Sequence, residues 1–386
     1  MALEVQVLLE IALILVVAKI LGEIATRLKF SSLIGEILAG ILLGPVFLIV
    51  HPSDFLERVA SFGILFLLFL IGLHTRFDEF KKDIHTGSVL AVAGAVISFL
   101  AGFLIGFGVF SSFTTGIVLG VILLSSSTAI ALQSLGDIGE FRTALYHKLT
   151  AISSADDVVG ILALSLLTTY LTYGTLEIWK VIALFFAVLG FFFLILTFGS
   201  KVVAKFLEMF QKVKDEQIML SIPLVVLFIV AFVSEQVGIA GVIGAFLAGL
   251  AMNRSPLAET VIVPKIKTIG YGFFIPLFFA YSAVILDIGA IVNYWSIILL
   301  LMVAIALSKI IGCGLLGAVF GYSKKEQMMI GIGMIALGEY SILVGQIALT
   351  AGAITQAVYT IVVAVVLISI IITPILMKLV YRSRMR

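Results

Sequence analysis

The sequence predicts an all-α integral membrane protein of about thirteen transmembrane helices, an inverted-topology repeat with two broken helices crossing at the bilayer midplane. Three observations predict it. The chain of 386 residues is 62% hydrophobic and only 12% charged, against about 25% charged in a soluble domain. Its lysines and arginines collect in alternate connections between apolar runs. The few ionisable residues inside those runs fall at nearly one depth.

A membrane-crossing helix needs about 20 apolar residues at 1.5 Å each. Breaking the apolar runs at charge clusters gives spans at 5–22, 31–50, 57–73, 86–110, 113–133, 147–173, 177–199, 216–236, 238–252, 268–287, 292–321, 327–351 and 355–380. The first run follows Glu4 rather than a basic stretch and is read as a retained span, not a cleaved signal.

Charge placement supports these breaks. Of 24 basic residues, 20 lie in the odd-numbered connections or at the C-terminal end, from Arg27 and Lys29 through Lys324 and Lys325 to Arg386. The even connections hold only Arg58 and Lys180. Basic residues mark cytoplasmic loops, so the N-terminus is expected outside and the C-terminus in the cytoplasm of a multi-pass protein of the cell membrane. Cys313 is the single cysteine, which excludes an internal disulfide and a multi-thiolate metal site. His51, His74, His85 and His147 have no metal-ligand spacing. No cofactor or nucleic-acid partner is expected.

An ionisable side chain at mid-membrane costs at least ~2.5–3.5 kcal/mol on insertion scales, so each one asks for a reason. Lys19 lies near the cytoplasmic end of span 1 and can snorkel. Glu36, one and a half turns into span 2, reads as a packing or interfacial group. Asp156, Asp157, Lys309 and Glu339 are different. Counting from the cytoplasmic ends of their spans, Asp157 lies ~15 Å deep, Lys309 ~18 Å, Gly338 and Glu339 ~17 Å, and Ser126 ~11 Å. Span 5 is interrupted by Ser125, Ser126, Ser127 and Thr128. Span 12 is interrupted at Gly331 and Gly333, then at Gly338, Glu339, Tyr340 and Ser341. Small polar residues also serve close helix packing. Two carboxylates and a lysine at the same level favour an ion site, built as transporters build them from broken helices. Spans 4–6 and 11–13 are offset by seven, an odd number, so matching spans run in opposite directions with a broken helix in the middle of each triplet.

At this point the sequence resembles a known family. The stretch Ser153-Ser154-Ala155-Asp156-Asp157-Val158-Val159-Gly160 resembles the paired-aspartate motif of the monovalent cation:proton antiporter-2 family, in particular the NapA-type sodium/proton antiporters. Supporting stretches are 33–45 (LIGEILAGILLGP), 66–73 (FLLFLIGL), 244–249 (GAFLAG), 274–279 (FIPLFF) and Gly338-Glu339. His74, Leu337 and Tyr281-Ser282-Ala283 differ from the commoner family pattern. The resemblance implies a homodimer. It implies a dimerisation domain from residues 1–85 and 216–290 (helices 1–3 and 8–10) and an ion-transporting core from 86–173 and 291–380 (helices 4–6 and 11–13). Residues 174–215 would be a connecting helix and loop. It also implies that Asp157 binds the cation or the proton, that Asp156 pairs with Lys309, and that Ser126, Ser127 and Thr128 lie beside the site.

Elementary geometry agrees with that division of labour. Neighbours on a helix point ~100° apart, so one aspartate can face an ion cavity while the other faces span 11. A proton and a hard cation with oxygen ligands compete for one free carboxylate. Exchange follows if the loaded site can change faces and the empty charged site cannot. The expected cargo is Na+, or K+ or Li+, against H+, with no enzymatic activity. Three rival readings carry less support. A cation channel needs a filter, and no filter-like loop is present. A sodium-coupled organic anion symporter would offer cationic or amide groups. An intramembrane aspartyl protease needs carboxylates that converge, and adjacent ones on a helix diverge.

Overall fold

The computed structural model describes residues 2–74, 84–141, 143–173, 186, 190, 193, 195–199, 216–237, 240–253, 255 and 258–383. Among these residues all regular structure is helical. Among the described residues eight helices are long and apolar enough to cross a membrane, and Ser32–Val46 and Gly241–Asn253 are shorter apolar helices. The seventh expected span (177–199) and the connection 174–215 lie largely outside the described residues.

The chain divides into two units. The first comprises Met1–Leu21, Glu36–Phe77 and Thr168–Val284. It contains most of α1 (Ala2–Arg27), the later part of α2 (Ser32–Ile41) and α3 (Asp54–His74), with α8 (Glu216–Gln236), α9 (Gly241–Asn253) and α10 (Ile275–Val284). Its core is aromatic: Phe66, Phe69, Phe246 and Phe278 are almost fully buried, and Phe66 stacks on Phe274 at 4.7 Å between centroids. Tyr281 and Ser282 are buried in α10. His74 places Nδ1 2.7 Å from the Leu70 carbonyl. The Lys19 ammonium donates to the Tyr271 carbonyl, and Glu36 is buried.

The second unit comprises Gly22–Gly35, Asp78–Leu167 and Ile285–Arg386. Its helices are α4 (Ile84–Phe110), α5 (Phe113–Leu124), α6 (Thr128–Asp137), α7 (Ala144–Tyr173), α11 (Trp295–Lys309), α12 (Lys324–Gly333), α13 (Glu339–Thr350) and α14 (Gln356–Ser383). The Ser112 hydroxyl caps α5 by accepting from the Thr115 N–H. Phe99, Phe103 and Phe107 form a ladder on α4 that meets Phe113 of α5. Ser98 of α4 donates to Ser308 of α11 at 2.9 Å, both buried, which satisfies two hydroxyls in an apolar layer. Past Lys309 the helix loosens into a π turn over Ile310–Gly314, a feature that recurs at functional sites.

Candidate functional site

Two helix interruptions build the site, and the first has a local cause in its residues. After Leu124 the backbone leaves the helix: Ser125 is extended at φ −104°, ψ 142°, and Ser127 is extended at φ −82°, ψ 104°. Serine hydroxyls compete with the helical ladder for backbone partners, which favours such breaks. The chain resumes as α6 at Thr128. The second interruption separates α12 from α13 over residues 334–338. The break begins after Gly331 and Gly333, which lie inside α12. Gly331 serves packing instead, since an added Cβ there would come within 2.8 Å of the Ile310 Cα.

Each break leaves orphan backbone groups, and each satisfies the other's. The Ser127 N–H donates to the Ala336 carbonyl at 2.7 Å. The Ser126 hydroxyl donates to the Met334 carbonyl at 2.7 Å. The Leu337 N–H donates to the Ser369 hydroxyl on α14 at 3.0 Å. Gly338 is where the breaks touch: a Cβ there would stand 2.6 Å from the Ser127 Cβ. A side chain at 338 would force Ser127 to shift.

The charged groups occupy this frame. Lys309 and Asp156 are fully buried and paired, with Nζ 3.1 Å from Oδ1. The same ammonium donates to the Leu124 carbonyl at 2.5 Å, which satisfies the orphaned end of α5. The other oxygen of Asp156 accepts from the Ser126 N–H at 2.6 Å, at the start of the second half-helix. The pair is thereby tied into both sides of the first break. Asp157 is only partly buried. It accepts from the Thr128 hydroxyl at 3.0 Å and lies in the field of Asp156 and Glu339. Glu339, also partly buried, stands a long 3.5 Å from the Ser127 hydroxyl.

The structure brings together the residues expected from sequence to form an ion site: Ser126, Ser127, Thr128, Asp156, Asp157, Lys309, Gly338 and Glu339. Three backbone contributors carry no sequence signal. The carbonyls of Leu124, Met334 and Ala336 belong to apolar residues in apolar runs. Tyr340 donates from its hydroxyl to the Gly160 carbonyl at 2.7 Å, and Ser341 donates to the Ile122 carbonyl at 2.9 Å. The tyrosine was legible only as a polar interruption.

A second charge cluster lies at the far ends of the same helices. Lys148 of α7 pairs with Glu326 of α12 at 2.6 Å, and Lys325 of α12 pairs with Glu140 at 3.1 Å. Lys378 of α14 stands 4.0 Å from Asp137, the last residue of α6. The ammonium groups of Lys148 and Lys325 each sit 4.2 Å from a tyrosine ring centre, Tyr322 and Tyr381 respectively. Ser323 and Glu326 form a capping box at the start of α12. This clasp joins the outer ends of α6, α7, α12 and α14. The site lies at the inner ends of the two half-helices α6 and α12.

Comparison with known proteins agrees with the fold. The family described as "Sodium/hydrogen exchanger, transmembrane" matches residues 12–380. The Na(+)/H(+)-K(+) antiporter GerN of Bacillus cereus is 28% identical over 99% of this chain and 98% of its own length. The probable Na(+)/H(+) antiporter GerT of the same organism is 31% identical over 96% of this chain and 98% of its own. Among solved structures, the sodium proton antiporter MjNhaP1 of Methanocaldococcus jannaschii superposes with a TM-score of 0.75 over 98% of both chains at 19% identity, a likeness of fold. With its many apolar helices and these relatives, the chain is a multi-pass membrane protein that belongs to the sodium/hydrogen exchanger family.

Proposed function

We propose that the chain exchanges a monovalent cation, sodium first, for protons across the cytoplasmic membrane by alternating access, with Asp157 as the group on which the two ions compete. The observation that carries this reading is the contrast between the adjacent aspartates. Asp156 spends both oxygens on Lys309 and the Ser126 N–H. Asp157 accepts from the Thr128 hydroxyl alone among the hydrogen bonds described, and the residue is partly exposed where Asp156 is fully buried. A bare carboxylate beside hydroxyls and a second acid suits a dehydrated hard cation, which takes oxygen ligands. The same oxygens take a proton when the cation leaves, so one site serves both ions in turn.

In this reading Asp156 and Lys309 hold the first broken helix together and set the local charge. The helices built from residues 1–85 and 216–290 form a dimerisation scaffold for two copies of the chain. The basic loops put the N-terminus outside and the C-terminus in the cytoplasm. Potassium in place of sodium is a second reading, favoured by the similarity to GerN, a Na(+)/H(+)-K(+) antiporter.

Purified protein in proteoliposomes tests the assignment. An imposed sodium gradient should move protons in the wild type and not in Asp157→Asn, whose amide cannot take up and release a proton. Full exchange by Asp157→Asn would sink the assignment. Running the same gradients with potassium decides between the two cargoes.

A further inference from the structure

Within the cluster, Thr128, Asp157, Glu339 and Tyr340 are partly exposed, while Ser126, Ser127, Asp156, Lys309 and Gly338 are buried. Three of the first four offer oxygens to an ion in the reading above. The fourth, Tyr340, has a different arrangement. It is the second residue of α13, immediately after Glu339, so it rides on the inner end of that half-helix. Its hydroxyl donates to the Gly160 carbonyl at 2.7 Å.

Gly160 lies in the interior of α7, three residues past Asp157. That is one turn along the same face, ~4.5 Å at 1.5 Å per residue. The missing side chain at 160 makes the contact possible. An added Cβ would meet the Ser125 Oγ at 2.9 Å and the Tyr340 Cε2 at 3.3 Å. The first break and the tyrosine ring therefore rest on the same bare stretch of the aspartate helix. Filling that space needs only the ring, and a phenylalanine would do it. What the hydroxyl adds is a tie between α13 and α7 beside the exchange carboxylate.

We propose that Tyr340 is a positioning residue for cation discrimination, its hydroxyl pinning the inner end of α13 to α7 one turn from Asp157. The inference rests on Asp157 being the exchange carboxylate. The tie fixes the separation between the Ser127–Glu339 side of the site and the Thr128–Asp157 side. Discrimination between ions of one charge and different radius depends on cavity size and on the rigidity that maintains it. A cavity free to widen would lose preference for the smaller ion.

The test compares wild type, Tyr340→Phe and Ser341→Ala for sodium- and potassium-driven proton movement in proteoliposomes. Cation-induced shifts in melting temperature of the same purified proteins report binding independently of exchange. Tyr340→Phe keeps the ring and should keep the maximal rate. One hydrogen bond lost at a positioning contact should raise the apparent KM for sodium about fivefold and narrow the sodium-to-potassium ratio by a similar factor. Ser341→Ala removes the tie from the same helical turn to Ile122 of α5. It should lower the melting temperature and leave the ion ratio alone.

An unchanged KM and ratio in Tyr340→Phe would overturn the proposal. So would equal ratio shifts in both variants, which would mean general loosening of α13. A wild type that shows no cation-driven proton movement defeats the exchange reading instead. Even then, a sodium-over-potassium preference in the melting shifts that Tyr340→Phe erodes would support the positioning role, and its persistence in Tyr340→Phe would end it.

Discussion

The second unit carries two lysine–carboxylate clusters, one at the helix breaks and one at the helix ends, and they differ less in distance than in surroundings. Lys309 and Asp156 are 3.1 Å apart with both side chains 0% exposed. Lys148 and Glu326 are closer, at 2.6 Å, with side chains 23% and 21% exposed. Distance alone would rank the clasp pair first, but solvent reverses the order. Water screens the clasp charges, and a pair of that kind contributes about 0.2–1 kcal/mol. In the dry cluster each ion depends on its partner, because losing one leaves an uncompensated buried charge. The same chemistry thus makes an obligatory joint in one place and an adjustable fastening in the other.

Breaking the dry pair should therefore give the largest effect. Lys309→Ala or Asp156→Asn is expected to destabilise the protein by about 3–5 kcal/mol, read as a large drop in melting temperature and yield in detergent. Replacing both partners, as Asp156→Leu with Lys309→Met, removes the unpaired charge and should restore much of the loss. Recovery stays incomplete, because the Leu124 carbonyl and the Ser126 N–H lose their partners. Each buried orphan costs about 1–3 kcal/mol. Single variants as stable as wild type would mean that the buried charges are compensated by other groups.

The clasp should respond far less. Glu326→Gln keeps the capping-box geometry, since glutamine serves at that position as well as glutamate, and deletes only the charge opposite Lys148. Glu140→Gln does the same opposite Lys325. Each should lower the melting temperature by the equivalent of about 0.2–1 kcal/mol, several-fold below the Lys309 variants. Equal drops in the two clusters would erase the contrast drawn from burial.

How much of this was legible in the sequence differs between the clusters for the same physical reason. In an apolar run, a charge is an anomaly that stands out, so Asp156, Asp157, Lys309 and Glu339 could be found by their cost alone. The clasp residues sit at span ends, where lysines and glutamates are ordinary. Nothing in sequence pairs Lys148 with Glu326, 178 positions apart. Part of the site itself is also silent, because carbonyls at Leu124, Met334 and Ala336 are freed by the breaks and not by residue type. Gly331 and Gly333 read as part of the second interruption, yet helix packing explains Gly331 and the chain unwinds only after Gly333. The serine break was easier to place, since three hydroxyls in succession oppose the helix locally.

Acid offers the finest division between the clusters. Partial burial pushes the Glu140 and Glu326 carboxyls up, but hydrogen bonds outweigh it and hold both below the usual range. The Glu140 carboxylate accepts from Lys325, and that of Glu326 from Lys148 and the Ser323 N–H. Unfolded, both titrate near ~4.3. A depressed carboxyl contributes stability that is full above the unfolded value and is lost as pH falls through the folded one. The clasp should then be intact at neutral pH and weaken only in acid. The difference in melting temperature between wild type and the Glu140→Gln, Glu326→Gln double variant should be constant from pH 7 down to about 5 and shrink below ~4.3. At neutral pH, high salt should shrink that same difference, because the clasp charges are within reach of counterions. Melting curves that stay equally separated through the acid range would show that the stabilising contacts at the helix ends do not depend on these two charges.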